Sequence, residues 1–254
     1  ISAHAYEYLM RKFATESGKS KGQFYTPAEV SRILANVVGI SRCTDTSATV
    51  CDPACGSGSL LIRAIDAAPI PIMGYGQEKE STTAGLAKMN AVLHRKAEIT
   101  IKSGNTFSNP QYLDKSDNSI LGRFDYIVAN PPFSMKNWRD GIAGKEYGRF
   151  EGYGDTPPEK NGDYAWLMHI LKALKSNGKA AVILPHGVLF RGNAVGGADG
   201  LGEGEGRIRR NLIENNNIEA IIGLPANIFF GTPIATIIMV LRQKREASDV
   251  LFID

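Results

Sequence analysis

The chain has 254 residues, 29 Lys and Arg against 26 Asp and Glu for a net charge of +3, and 43% hydrophobic with 8% aromatic residues. That balance fits one large α/β domain with a sizeable buried core and excludes a strongly basic, dedicated nucleic-acid module, although it permits a polyanionic partner. Three cysteines (Cys43, Cys51 and Cys55) without metal-like spacing argue against a disulfide framework or a metal site and for a reducing, cytoplasmic setting; no apolar run approaches ~20 residues, so no membrane helix is expected, and no signal peptide pattern opens the chain.

From His4 to Ala14, Tyr6, Leu9, Met10 and Phe13 fall at helical spacing, which predicts an amphipathic helix. Gly18 to Gly22 is a polar break, so residues 1–22 are expected to form a short N-terminal helical segment and residues 23–254 the main domain. Thr26-Pro27-Ala28-Glu29 predicts a helix start, with Thr26 as N-cap, Pro27 at the first helical position and Glu29 closing a capping box. Val30, Ile33, Leu34, Val37 and Val38 supply the apolar stripe of that helix.

Strands and helices then alternate. Strands are expected at 48–51, 72–75, 98–101, 125–129, 179–184, 219–222 and 235–241, with helices over 60–67, 83–94, 164–174 and 207–214. Short, nearly continuous apolar strands between helices indicate a doubly wound, mostly parallel seven-stranded sheet covered on both faces. Two stretches interrupt the rhythm. Ser134 to Asp163 is rich in Gly and in balanced charge, and directly follows a strand, so it is placed to close over a substrate. Gly192 to Gly206 contains seven glycines and reads as a flexible connection.

Three motifs sit at strand ends. Val50-Cys51-Asp52-Pro53-Ala54-Cys55-Gly56-Ser57-Gly58-Ser59 is a strand, a glycine loop and a helix start. Its glycines let backbone approach a ligand closely, and an acid ahead of them suits an amino-bearing or cationic ligand better than a pyrophosphate. It is not the dinucleotide fingerprint, because Ile62 stands where a third glycine would be. The second strand runs into Gly76-Gln77-Glu78, and an acid there can take both hydroxyls of a ribose. The fourth strand delivers Asn130-Pro131-Pro132-Phe133: an amide oxygen to accept from an amine, two prolines that hold carbonyls outward, and an aromatic face for a flat ring. The ends of strands one, two and four converge near the switch point of such a sheet, where ligands bind.

Together with Gln23-Phe24-Tyr25-Thr26-Pro27, these motifs resemble, in order, those of S-adenosylmethionine-dependent DNA adenine-N6 methyltransferases, above all the modification subunit of type I restriction–modification systems. The resemblance spans nearly the whole chain, including Asp163-Tyr164-Ala165-Trp166, Ile183-Leu184-Pro185-His186-Gly187 and Ile222-Gly223-Leu224-Pro225, with the motif order called gamma. It implies a Rossmann-like methyltransferase fold in which Gln23, Phe24, Tyr25, Thr26 and Pro27 and the loop Asp52, Ala54, Cys55, Gly56, Ser57, Gly58 and Ser59 hold the methionine end of the cofactor. Glu78 would bind the ribose, and Asn105 stands where the family commonly has an Asp near the cofactor adenine. Asn130 and the Pro131 carbonyl would hold the target amine, with Pro132 shaping the turn and Phe133 stacked on a flipped-out base. The implied partners are DNA (weakly bound by this chain alone), a sequence-specificity subunit, a nuclease subunit and a second modification subunit.

Two other readings stay open. One is methylation of a protein glutamine amide, a chemistry that also uses an Asn-Pro-Pro turn; the Gln23–Pro27 element and Phe133 favour DNA. The other is a subunit that binds cofactor without catalysis. His186 is expected to be a structural strand-end residue, His4, His94 and His169 to lie on helix surfaces or in packing, Trp166 in the core, and Arg207, Arg209 and Arg210 on a solvated helix face.

Overall fold

A computed structural model describes residues 26–144, 146–193, 203–229 and 233–254. The N-terminal helix expected over His4 to Ala14 and the residues Gln23, Phe24 and Tyr25 lie outside the described residues, as does 194–202 within the glycine-rich stretch.

Helix α1 (Ala28–Val38) buries Val30, Leu34 and Val38 and ends at Gly39, whose left-handed φ of 83° turns the chain out of the helix. Its start differs from the expectation. Pro27 occupies the N-cap and no side chain caps the helix; the Thr26 hydroxyl is turned elsewhere, to a tertiary partner described below. The alternation that follows is β1 (Thr49–Asp52), α2 (Ser59–Asp66), β2 (Met73–Glu78), α3 (Ser81–Leu93), β3 (Ile99–Ser103), β4 (Phe124–Ala129), α4 (Asp163–Lys172), β5 (Leu174–Pro185), α5 (Gly204–Glu214), β6 (Ile218–Leu224), β7 (Thr236–Arg242) and β8 (Leu251–Ile253).

All seven expected strands are present, in a sheet of order β3-β2-β1-β4-β5-β7-β6-β8. β1 to β5 pair in parallel, and β7 is antiparallel to both β5 and β6. The eighth strand corrects the expected count of seven. β8 adds to β6 in parallel, Ala220 opposite Leu251, and Leu251, Phe252 and Ile253 are all exposed. Three residues with no buried face carry no alternation from which a strand could be read. The fourth helix also stops early: Leu174, expected to close it, opens β5 opposite Phe124.

Neighbouring residues of the central strands feed opposite faces. Val128 of β4 with Ala181 and Ile183 of β5 packs on Leu34, Leu61 and Val30, while Ile127, Ala129, Ala180 and Val182 pack on Leu167, Leu171 and Leu212. This is why the strands are apolar throughout, since both faces are covered. The polar composition of 134–163 concealed a third, smaller core, in which Trp138 and Ile142 are buried with Phe107, Ala165 and Trp166. No helix among the described residues is long and apolar enough to cross a membrane.

Candidate active site

In the strand order β2-β1-β4, the carboxyl ends of three strands open onto one cavity of about 350 Å³, at the lower end of the range of small-molecule sites. Its lining divides into three parts. Pro53, Ala54 and Gly56 come from the loop after β1, Glu78, Lys79 and Glu80 from the end of β2, and Asn105 and Thr106 from the turn after β3. On the other side stand Asn130 and Pro132 from the end of β4, Met135 just beyond, and Trp166 of α4.

The glycine loop is held by its own backbone. Asp52, 1% exposed, accepts the Ala54 N–H at 3.0 Å, and the Cys55 N–H donates to the Gln77 carbonyl of β2 at 2.9 Å. Gly56 and Gly58 have φ of 53° and 77°, and a Cβ at Gly58 would lie 3.4 Å from that of Ala87, so the turn needs residues without side chains. Ser57 and Ser59 face away from the cavity. Their hydroxyls pair at 2.9 Å, and Asn90 of α3 donates to the Ser57 carbonyl at 2.9 Å. Cys55, Gly58 and these serines therefore shape the loop from behind, while Ala54 and Gly56 present it.

Two carboxylates dominate the electrostatics. Burial pushes Asp52 up to about 7, the neighbouring Glu78 charge adds to the rise, and the Ala54 N–H opposes it. Burial also raises Glu78, offset by backbone N–H groups; its two oxygens accept Gly56 at 3.0 Å and Glu80 at 2.9 Å, which fixes the carboxylate plane at the cavity wall. The Cys51 and Cys55 thiols are held well up by burial, so neither is a nucleophile at neutral pH. Glu78 and Glu80 line the cavity, whereas Asp52 is buried behind the glycine loop and is not among the lining residues. An acidic wall beside a glycine loop suits a ligand carrying positive charge and hydroxyls.

Asn105 lines the cavity and uses its side-chain oxygen on the Phe107 N–H at 2.9 Å, while the Thr106 hydroxyl donates to the Pro53 carbonyl at 2.6 Å. The turn after β3 is thereby tied to the glycine loop. Asn130, 7% exposed, donates through its side-chain nitrogen to the Thr26 hydroxyl at 3.2 Å. With the nitrogen engaged, the oxygen is the group left to accept. Pro132 faces the cavity but Pro131 is buried away from its lining, and Phe133 is half-buried, edge-on to Phe229 at 6.1 Å. Pro27 is half-buried at the head of α1 and is not among the lining residues.

Of the motif residues, the structure brings Ala54, Gly56, Glu78, Asn105, Asn130 and Pro132 onto one cavity, while Asp52, Cys55, Ser57, Gly58, Ser59, Pro131 and Phe133 are not among its lining residues. Sequence reasoning missed Pro53, Lys79, Glu80 and Thr106, which adjoin motif residues, and Met135 and Trp166, whose apolar character signalled only core. Trp166 is indeed core-packed, with its ring 4.4 Å from that of Phe107, yet it also lines the cavity.

Comparison with known proteins matches the family model "N-6 DNA Methylase" over residues 1–254. The chain belongs to the N-6 DNA methylase family. This methylase-family chain is 35% identical, over 98% of its length, to the type I restriction enzyme MpnII methylase subunit of Mycoplasma pneumoniae, of which it covers 45%. It is 34% identical over its full length to the HindI methylase subunit of Haemophilus influenzae, covering 54% of that protein. A crystal structure of the type I restriction-modification system methyltransferase subunit from Streptococcus thermophilus superposes with a TM-score of 0.85 at 37% identity, covering 99% of this chain and 51% of that one. The chain accordingly spans about half the length of the curated relatives it matches. Among the described residues, those lining the cavity are the motif residues and their neighbours.

Proposed function

We propose that the chain is the catalytic part of a DNA adenine-N6 methyltransferase using S-adenosylmethionine, working as the modification subunit of a type I restriction–modification complex. The observation that carries the reading is the position of Asn130, whose anchored amide shares one cavity wall system with Glu78 and the glycine loop. The cavity fits the cofactor: a buried acid of raised pKa beside the loop suits a cationic amino-acid end, and the fixed Glu78 carboxylate retains lone pairs for ribose hydroxyls. When bound, the cofactor supplies a methyl group activated on a sulfonium.

The residues of this chain then have defined tasks. Asp52, Ala54, Gly56 and Glu78 hold the donor, with Asn105 at the nucleoside side. The adenine amine is a poor nucleophile because its lone pair is delocalised into the ring. Asn130 Oδ1, accepting one amine hydrogen, favours a pyramidal nitrogen and directs the lone pair into the cavity, an interaction strongest in the transition state. An amide oxygen is no base, so the proton lost by the amine passes to solvent. A paired base cannot reach the cavity, so the adenine is flipped out, at roughly a few kcal/mol. Phe133, next in the chain to the cavity-lining Pro132 and half-buried against Phe229, is the aromatic side chain nearest in sequence to receive it.

Family membership favours DNA over a glutamine amide, and the intact Asp52, Glu78 and Asn130 favour catalysis over cofactor binding alone. Residues 23–254 are read as the methyltransferase domain and 1–22 as a helical appendage. The near-neutral charge supports weak binding of DNA by this chain alone, with separate specificity and nuclease subunits and a second modification subunit in a cytoplasmic complex. The test is Asn130→Ala in the full-length protein with its partner subunits and tritiated cofactor. Methyl transfer to DNA should fall at least a thousandfold while cofactor affinity stays within about threefold, the loss expected when a transition-state contact alone is removed. Wild-type turnover by that variant would reject the role of Asn130.

A further inference from the structure

Arg149 is fully buried, although it lies in the charged stretch that follows the Asn130–Phe133 turn. A desolvated guanidinium is expensive unless all its donors are used. Its Nε donates to the Glu146 carbonyl at 2.8 Å within its own segment. Its two terminal nitrogens leave that segment: Nη1 donates to the Thr106 carbonyl at 3.1 Å and Nη2 to the Phe107 carbonyl at 2.7 Å. The guanidinium also lies 5.4 Å from the Tyr147 ring, 5.5 Å from Phe150 and 5.8 Å from Phe107. Adjacent carbonyls of one turn match the planar fork of arginine, which a lysine point charge cannot reproduce.

That turn walls the nucleoside side of the cavity, and the same Thr106 clasps Pro53 of the glycine loop. At its other end, the segment holding Arg149 reaches the cavity at Met135, directly after the target turn; Ser134 is fixed there by Asp163, and the Met135 carbonyl by the Gly162 N–H. We infer that Arg149 is a positioning residue that couples the two halves of the cavity, so that a ligand on the glycine-loop and Asn105–Phe107 side orders the 134–163 segment beside Asn130. This rests on the proposed function and goes beyond it by assigning communication between donor and acceptor sides to one buried cation.

Hydrogen–deuterium exchange on the full-length protein, with and without S-adenosylhomocysteine, tests this without turnover. In the wild type the ligand should slow exchange in the glycine-loop peptide around 52–60 and, by about fivefold or more, in peptides from 134–163, the range of modest site-to-site coupling. Arg149→Met, which replaces a buried charge by an apolar chain of similar length, should keep the glycine-loop protection but leave 134–163 changed by less than about twofold. Arg149→Lys keeps the charge but not the fork and should behave the same way; it decides the matter if the Met variant fails to fold. Unchanged ligand-induced protection of 134–163 in either folded variant overturns the inference, as does a wild-type segment that ignores the ligand while the glycine loop responds. Absence of protection at the wild-type glycine loop would instead refute the cofactor reading itself.

Discussion

If Asp52 receives the cationic end of the cofactor, binding must be linked to its proton. In the unliganded protein its carboxyl titrates at about 7, raised from 3.8 by burial. A ligand that needs the carboxylate finds about nine-tenths of sites ready at pH 8 and about one-tenth at pH 6, so its affinity should fall about tenfold between them, or about 1.4 kcal/mol. Calorimetric titration with S-adenosylhomocysteine, in buffers of differing ionisation enthalpy, measures both quantities: the affinity change, and release of close to one proton at pH 6 but almost none at pH 8. The ligand's own amine also titrates, so Asp52→Asn is the reference; it should bind more weakly at pH 8 and lose the acid-side decline. Stability moves the other way. Because the folded pKa lies above the unfolded value, the buried neutral acid stabilises the unliganded protein fully below pH ~4, and that contribution is lost as the pH rises through 7, an amount of order 4 kcal/mol at most that Asp52→Asn should abolish in urea melts. Wild type and variant showing the same pH dependence of affinity would refute the assignment of a titrating acid behind the glycine loop.

Two further perturbations test the geometry. Thr26 is buried and not among the cavity's lining residues, so its implied cofactor contact gives way to the bond with Asn130. Thr26→Val should lower methyl transfer roughly tenfold or more with cofactor affinity changed by less than about threefold, a split between turnover and binding visible in steady-state kinetics. Leu34→Ala, at a fully buried position of α1, should cost about 2–5 kcal/mol by chemical denaturation, and a loss under 1 kcal/mol would show that the face of the sheet beneath α1 is not packed as described.

The strands were legible because both faces of the sheet are covered, which forces near-continuous apolar runs such as Ile127-Val128-Ala129 and Ala180 to Leu184. β8 was not legible, since pairing by backbone alone demands nothing of side chains. Thr26 was misread because a Thr-Pro-x-Glu string has a local meaning as a helix cap, and here a contact to Asn130 across the fold takes the hydroxyl instead. The motif strings located the cavity but did not distinguish residues facing it from those supporting it: Ala54 and Gly56 face it, while Ser57 and Ser59 bond to each other behind it. Trp138 and Arg149 were hidden by composition, because an aromatic or an arginine among glycines and charges is by default solvated, and only the neighbouring Phe107 turn gives them a place inside.

The bond from Thr26 to Asn130 joins residues 104 positions apart. During synthesis the amide therefore emerges long after its anchor and gains a defined orientation only once the head of α1 has docked beside the finished strand. Until then the side chain is free to rotate and present its donor in place of its acceptor, so chemical competence waits on the docking of two distant segments and is encoded in neither alone.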